Sequence, residues 1–173
     1  MIEIKLTLSE IRMAATIGME RQLSSIKRGL KNKHGYNGDD SWGIHISGAL
    51  AEIAAAKALN MFFRGDVDTF KNPDVGEFQV RYTKTDPPVL IVRSGDADNE
   101  KFICVTGEAP SFKVHGWMTA GEGKQKQWKR APYGRPPAYF IPIDKLNDMD
   151  TINNKESAID TESKGCTEEA LVA

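Results

Sequence analysis

Asp74, Gln79 and Arg81 fall close together in the run Asn72-Pro73-Asp74-Val75-Gly76-Glu77-Phe78-Gln79-Val80-Arg81, which reads as the end of one strand, a tight turn and the start of another. Gly76 permits the sharp reversal. Side chains alternate along a strand, so Gln79 and Arg81 share one face while Val80 points the other way, into the core. Asp74 then lies beside Gln79 across the junction. One carboxylate, one amide oxygen and the Val80 carbonyl form a hard oxygen site, the kind that Mg²⁺ occupies while keeping several waters. Such an ion activates a water and neutralises charge on a phosphate. Arg81 suits contact with that phosphate or with the charge that develops on it.

Glu52 is the fourth candidate. It sits in Ser47-Gly48-Ala49-Leu50-Ala51-Glu52-Ile53-Ala54-Ala55-Ala56, among small apolar residues. A carboxylate on the packed side of such a helix is costly unless it is paired or metal-bound. Gly48, one turn earlier, would admit close backbone approach, and His45 lies two turns earlier on roughly the same face. The competing reading places Glu52 on the solvent side of an amphipathic helix.

A Glu on a core helix, then Pro-Asp, then a strand carrying an acid or amide, one residue and a cation resembles the PD-(D/E)XK nuclease superfamily. It also looks like the small nuclease-like proteins of phages and prophages. The resemblance spans about residues 42–118, including Trp42 to Glu52, Asp74-Val75-Gly76 and Val114-His115-Gly116-Trp117-Met118. It implies a restriction-endonuclease-like core and Mg²⁺- or Mn²⁺-dependent hydrolysis of DNA. Asp74 and Gln79 would be metal ligands with the Val80 carbonyl, Glu52 the helix acid, and Arg81 the residue at the cation position. Gln79 stands where the superfamily usually has an acid, and Arg81 where it usually has lysine. Arginine stays protonated at neutral pH and holds phosphate without acting as a base. Two further readings stay open: a catalytically inactive nuclease-like module that binds nucleic acid, and a phage interaction or regulatory protein whose acidic tail binds a basic partner.

Other chemistries lack their residues. No Ser-His-Asp or Cys-His arrangement stands out. Gly121-Glu122-Gly123-Lys124 is not a phosphate loop, because Met118 falls at the first glycine and Gln125 replaces the hydroxyl residue, so no nucleotide cofactor is expected. Asp66, Asp68, Asp96 and Asp98 read as surface turns.

The elements that must position these groups follow from pattern. Residues 2–6 form a short strand or an extended arm. Thr7 with Glu10 makes a capping box, or Ser9 caps, for a helix to about Leu30 that carries Arg12, Arg21, Lys27 and Arg28 outward. Asp40 or Ser41 caps a second helix to about Asn60, whose alanines favour it. Strands are expected at 61–64, 68–71, 77–83, 89–93, 101–106, 111–118 and 139–143, with a short basic helix near Trp128. Two helices and then a meander of strands imply an α+β fold with a mixed β-sheet flanked by helices and an extra N-terminal helix. The divisions are a basic helix and loop at 1–40, a core at 41–146 and an acidic, disordered tail at 147–173.

Charge adds a partner. From residue 144 onward eight acids oppose three lysines, a balance of −5, so residues 1–143 carry +4 within a chain of net charge −1. The positive charge concentrates at Lys27, Arg28, Lys31 and Lys33, and at Lys124, Lys126, Lys129, Arg130 and Arg135 around Trp128. Cations interleaved with an aromatic suit a nucleic-acid backbone and a stacked base, with a solvated surface as the competing explanation. His115 and Trp117 could touch nucleic acid at the end of their strand, but a core Trp117 is the favoured reading. No run is apolar enough to span a bilayer, the N-terminus lacks a signal-peptide layout, and two distant cysteines, Cys104 and Cys166, fit a reducing cytoplasm. The oligomeric state stays open, a homodimer being one option.

Overall fold

The computed structural model describes residues 1–30, 40–67, 72–132 and 135–152. Strand β1 (Ile2–Lys5) leads into helix α1 (Leu8–Lys27), and helix α2 (Ser41–Ala58) follows. Strands β2 (Phe78–Tyr82), β3 (Val89–Arg93), β4 (Lys101–Glu108) and β5 (Ser111–Thr119) come next, then the one-turn helix α3 (Ala120–Gly123), β6 (Lys129–Arg130) and β7 (Ala138–Pro142). The fold is α+β, with a mixed four-stranded sheet in the order β1-β5-β4-β2. Only the β2/β4 pair in it is parallel. A second, antiparallel sheet of order β3-β7-β6 was not expected as a separate layer.

Alternation along β4 explains the layering. Ile103 and Val105 face α2 together with Phe78, Val114 and Trp117, whereas Phe102 and Cys104 face Leu90, Val92 and Ile141 of the second sheet. A strand buried on both faces reads as a continuous apolar run, as Phe102 to Val105 does. Ala49, Ala51, Ala54, Ala55 and Ala56 of α2 are buried, and their small side chains let the helix lie close on the mixed sheet.

Helix α1 starts with the capping box expected from Thr7 and Glu10, and Asp40 caps α2 through the Gly43 N–H. The strand expected at 61–64 is absent because that backbone closes α2. Asn60, with φ of 54°, follows the cap, and the Met61 N–H returns to the Ala56 carbonyl at 2.8 Å, a Schellman closure. Instead of one basic helix near Trp128, the chain forms α3, a single 3₁₀ turn at Lys126–Trp128 and β6. The strand expected at 68–71 lies outside the described residues. The packed chain extends beyond 146: Asn147 exchanges two backbone hydrogen bonds with Trp117, and Met149 and Ile152 are buried. Residues 153–173 lie outside the description. No helix among the described residues is long and apolar enough to cross a membrane.

The α1–α2 contact decides where α1 sits. A Cβ on Gly18 would lie 2.6 Å from the Ile46 backbone N and Cα, so the close-approach glycine is Gly18. Gly48, expected in that role, meets nothing within 4 Å. Gly18→Ala should therefore push the helices apart and destabilise the protein by about 1–3 kcal/mol, the scale of overpacking. Urea unfolding checks this, and a variant as stable as wild type would refute the close contact.

Candidate active site

Among the described residues strand β2 is an edge strand, paired on one side only, with β4. Before it, Val75 and Phe78 exchange both backbone hydrogen bonds around Gly76 and Glu77, and Gly76 takes φ of 56°, a left-handed conformation that glycine adopts at little cost. This turn folds Asp74 back along the open edge. The Val80 N–H donates to Asp74 Oδ2 at 2.7 Å. A strand residue's N–H and C=O leave on the same side, so the Val80 carbonyl also points off that edge. The Val80 side chain packs into the core on the α2 side, as expected.

Glu52 is buried, at 7% exposure, which removes the solvent-facing reading. Its partner is Arg21, whose two terminal nitrogens donate to Oε1 at 2.6 Å and Oε2 at 2.8 Å, while Nε donates to the Asp66 carbonyl at 3.0 Å. Arg21 was expected to face outward. It instead continues the inner face marked by Ala14 and Gly18, at helical spacing. The small residues along that face were the sequence signal for close approach, and the arginine among them was the residue that sequence reasoning missed.

A cleft of about 300 Å³ gathers these groups: Glu52, Asp74, Gln79, Val80 and Arg81 all line it, joined by Arg21 and His45. The residues singled out from α2, the turn and β2 therefore share one site. Gln79 donates its amide N–H to the Asn72 carbonyl at 3.2 Å, which assigns its nitrogen and leaves its oxygen for a ligand. Among the described residues no three His, Cys, Asp or Glu side chains group as a metal cage. The donor set is two carboxylates, an amide oxygen and a backbone carbonyl, with an arginine on one carboxylate.

Arg81 lines the cleft but is held from behind. Its guanidinium lies over the Phe102 ring, 4.6 Å from the centroid, and its Nη2 is 3.4 and 3.5 Å from the two Asp96 oxygens. Asp96, expected as a surface turn, also accepts the Arg93 N–H at 2.8 Å and so ties the turn after β3 to the site.

The basic candidates separate. Lys27 and Arg28 are exposed at the end of α1, further along the helix that carries Arg21. Lys31 lies outside the described residues. Lys126, Lys129, Arg130 and Arg135 are exposed, with Lys129 Nζ 5.9 Å from the Tyr139 ring centre. Lys124 is engaged instead, donating to the Asp96 carbonyl at 2.5 Å and to Asp98 Oδ1 at 2.7 Å. Trp128 is partly buried against the second core, and Trp117 is a core residue stacked edge-on against Phe78. His115 meets Thr106.

Burial pushes the Glu52 carboxyl up, with the Asp74 charge adding to it and the Arg21 fork opposing. Burial also pushes Asp74 up, opposed by the Val80 N–H and by the Arg21 and Arg81 charges. Burial and then Arg21 lower His45, which favours its neutral form. Acids with raised values bind protons longer in the folded than in the unfolded state, so stability falls as pH climbs from about 4 through the raised values. Asp74→Asn should flatten part of that fall. Urea midpoints across pH check this, and parallel wild-type and variant curves would exclude Asp74 as a source.

Compared with protein-family models, curated proteins and solved structures, the chain gives no match.

Proposed function

We propose that this chain is a divalent-metal-dependent hydrolase of DNA phosphodiester bonds, built on a nuclease-like site of the PD-(D/E)XK kind. The observation that carries the reading is the convergence of Glu52, Asp74, Gln79, Val80 and Arg81, from separate elements, on one cleft. Their chemistry fits Mg²⁺ or Mn²⁺: Arg21 pairs with Glu52, the Val80 N–H holds Asp74, and hard oxygens with room for water suit such an ion. Asp74, the Gln79 oxygen and the Val80 carbonyl would hold it, with Glu52 as a further ligand or as the acid behind it. When bound, the ion lowers the pKa of a water and neutralises phosphate charge.

The chain's own residues do the rest. Arg81, set by the Phe102 ring and by Asp96, orients a phosphate at the cleft margin. Arg21 favours the ionised form of Glu52 and fixes it in position against the cost of burial. Lys27, Arg28, Lys126, Lys129, Arg130 and Arg135, all exposed, would grip the backbone beyond the cleft. The test is cleavage of supercoiled and linear DNA with Mg²⁺ and with EDTA. The reading expects cutting in Mg²⁺ alone, and equal cutting in EDTA ends it.

A second reading, an inactive nuclease-like module that binds nucleic acid, is favoured by one observation: the Arg21 fork fills both oxygens of Glu52. It expects salt-sensitive DNA binding without metal and no cutting, and it would gain support if Arg81→Lys conferred cleavage on a chain that lacks it.

A further inference from the structure

We propose that the outer face of helix α1 is a dimer interface, which pairs antiparallel with the same helix of a second copy of this chain. Helix α1 carries apolar residues on two opposite faces. Ala14 and Gly18 are buried on the inner face, with Ile11 and Ile17 packed against the core at its margins. Met19, Leu23 and Ile26 stand on the other side, four and three residues apart, and are 42%, 44% and 57% exposed. That spacing is the a/d repeat of a helix-pairing seam. A helix at the surface of a lone molecule keeps its outer side polar, whereas one that is apolar on both sides is covered on both. The seam is short. Arg12 and Thr16, earlier on the same stripe, are polar and exposed, and the helix stops at the Arg28 cap, where Gly29 takes φ of 61°. Leu30, past that turn, is exposed too. Lys57 pairs with Glu10 and Ile46 meets Gly18, so α2 runs antiparallel to α1 and its start lies beside the last turns of α1. Trp42 and Ile44 at that start are also exposed. Exposed apolar side chains thus gather toward one end of the helix pair, as a patch rather than as single exposures.

What covers the patch follows from the charges beside it. Glu20 and Lys27 flank the seam on one edge, are both exposed, and form no ion pair among the described residues. In a parallel pair the seam would set Lys27 against Gln22 of the other copy, and Glu20 against Ala15, so no charge is matched. In an antiparallel pair centred near Leu23 and Ile26, Glu20 of each copy stands opposite Lys27 of the other, and two ion pairs close the seam. A lipid surface favours cations along the edges of such a stripe, and the acid at Glu20 opposes it. Arg21 lies on the inner side of α1, held to Glu52, so the pairing leaves the cleft open. In the dimer Lys27 is engaged by the second copy, and contact with nucleic acid falls to the remaining cations.

The test uses the full chain with neither DNA nor metal, so its outcome is separate from the function proposed above. Sedimentation velocity over a range of protein concentration measures the dimer for wild type, Leu23→Glu, Glu20→Lys, Lys27→Glu and the double reversal. Leu23→Glu sets a charge on the seam in both copies and should weaken the dimer by about a hundredfold. Glutamate keeps the helix propensity of that position. Each single reversal places like charges opposite one another twice and should weaken the dimer by about tenfold, and the double reversal should restore it. These exposed positions carry the test should Leu23→Glu not fold. A wild type that stays monomeric overturns the proposal; if it instead binds vesicles of anionic phospholipid through Leu23, the face belongs to a lipid surface. A dimer unmoved by Leu23→Glu has its interface elsewhere and overturns the proposal too. A double reversal as weak as the single ones removes the antiparallel pairing.

Discussion

Replacing Asp74 by asparagine should lower Mg²⁺-dependent DNA cleavage by roughly 10²–10³-fold, the scale on which one electrostatic group acts at a transition state. Asparagine is preferred to alanine because Asp74 Oδ2 accepts the Val80 N–H. Its amide oxygen can keep that bond and hold the turn against the edge of β2, whereas alanine would leave a partly buried N–H unpaired. The change thus removes one negative charge with little change of shape. Single-turnover cleavage at saturating Mg²⁺ measures the effect. Wild-type turnover by a variant with a wild-type melting temperature would remove Asp74 from the chemistry, and with it the hydrolase reading.

Arg21→Ala should cost the most stability, about 3–5 kcal/mol, the price of leaving a buried carboxylate without its partner. The Glu52 and Arg21 side chains are only 9% and 19% exposed, so solvent screens little of the interaction. For a chain of this size the loss corresponds to a fall in melting temperature of roughly 10 °C. It should shrink at acid pH, where Glu52 takes up a proton and no longer needs a cation. The double variant Arg21→Met with Glu52→Leu should recover most of the loss, because it removes both desolvated charges. Urea unfolding at neutral and acid pH decides the matter. An alanine variant within about 1 kcal/mol of wild type at neutral pH would mean that Glu52 finds another partner or is already protonated.

The local elements were largely legible in the sequence because their signals are local. The Thr7–Glu10 box starts α1, Asp40 starts α2, and β3 covers Val89–Arg93 as the apolar run indicates. Gly76 marks the turn that returns Asp74 to β2, and alternation put Gln79 and Arg81 on one face with Val80 on the other. Period and cap chemistry act over a few residues, so they survive without knowledge of the fold. The strand expected at 61–64 failed for a related reason: the same atoms had a better local use in closing α2.

The sequence by itself therefore determined which residue types stand near the turn, which face each takes and where the helices begin. Only the tertiary structure decided who partners whom. Nothing local to Glu52 says that its neutralising cation comes from a helix 31 residues earlier, or that Gly18 makes the approach possible. Nor could the pattern say that Asp96 would stand behind Arg81 or that Lys124 would be engaged by Asp96 and Asp98. Those pairings depend on which strands become neighbours. Coulomb forces and burial act through space, so the charges that matter to one another are chosen by packing rather than by spacing along the chain. Asp74 and Gln79 keep the meaning they had in the sequence. Arg81 gains Asp96 and the Phe102 ring behind it, and the cation paired with Glu52 is Arg21.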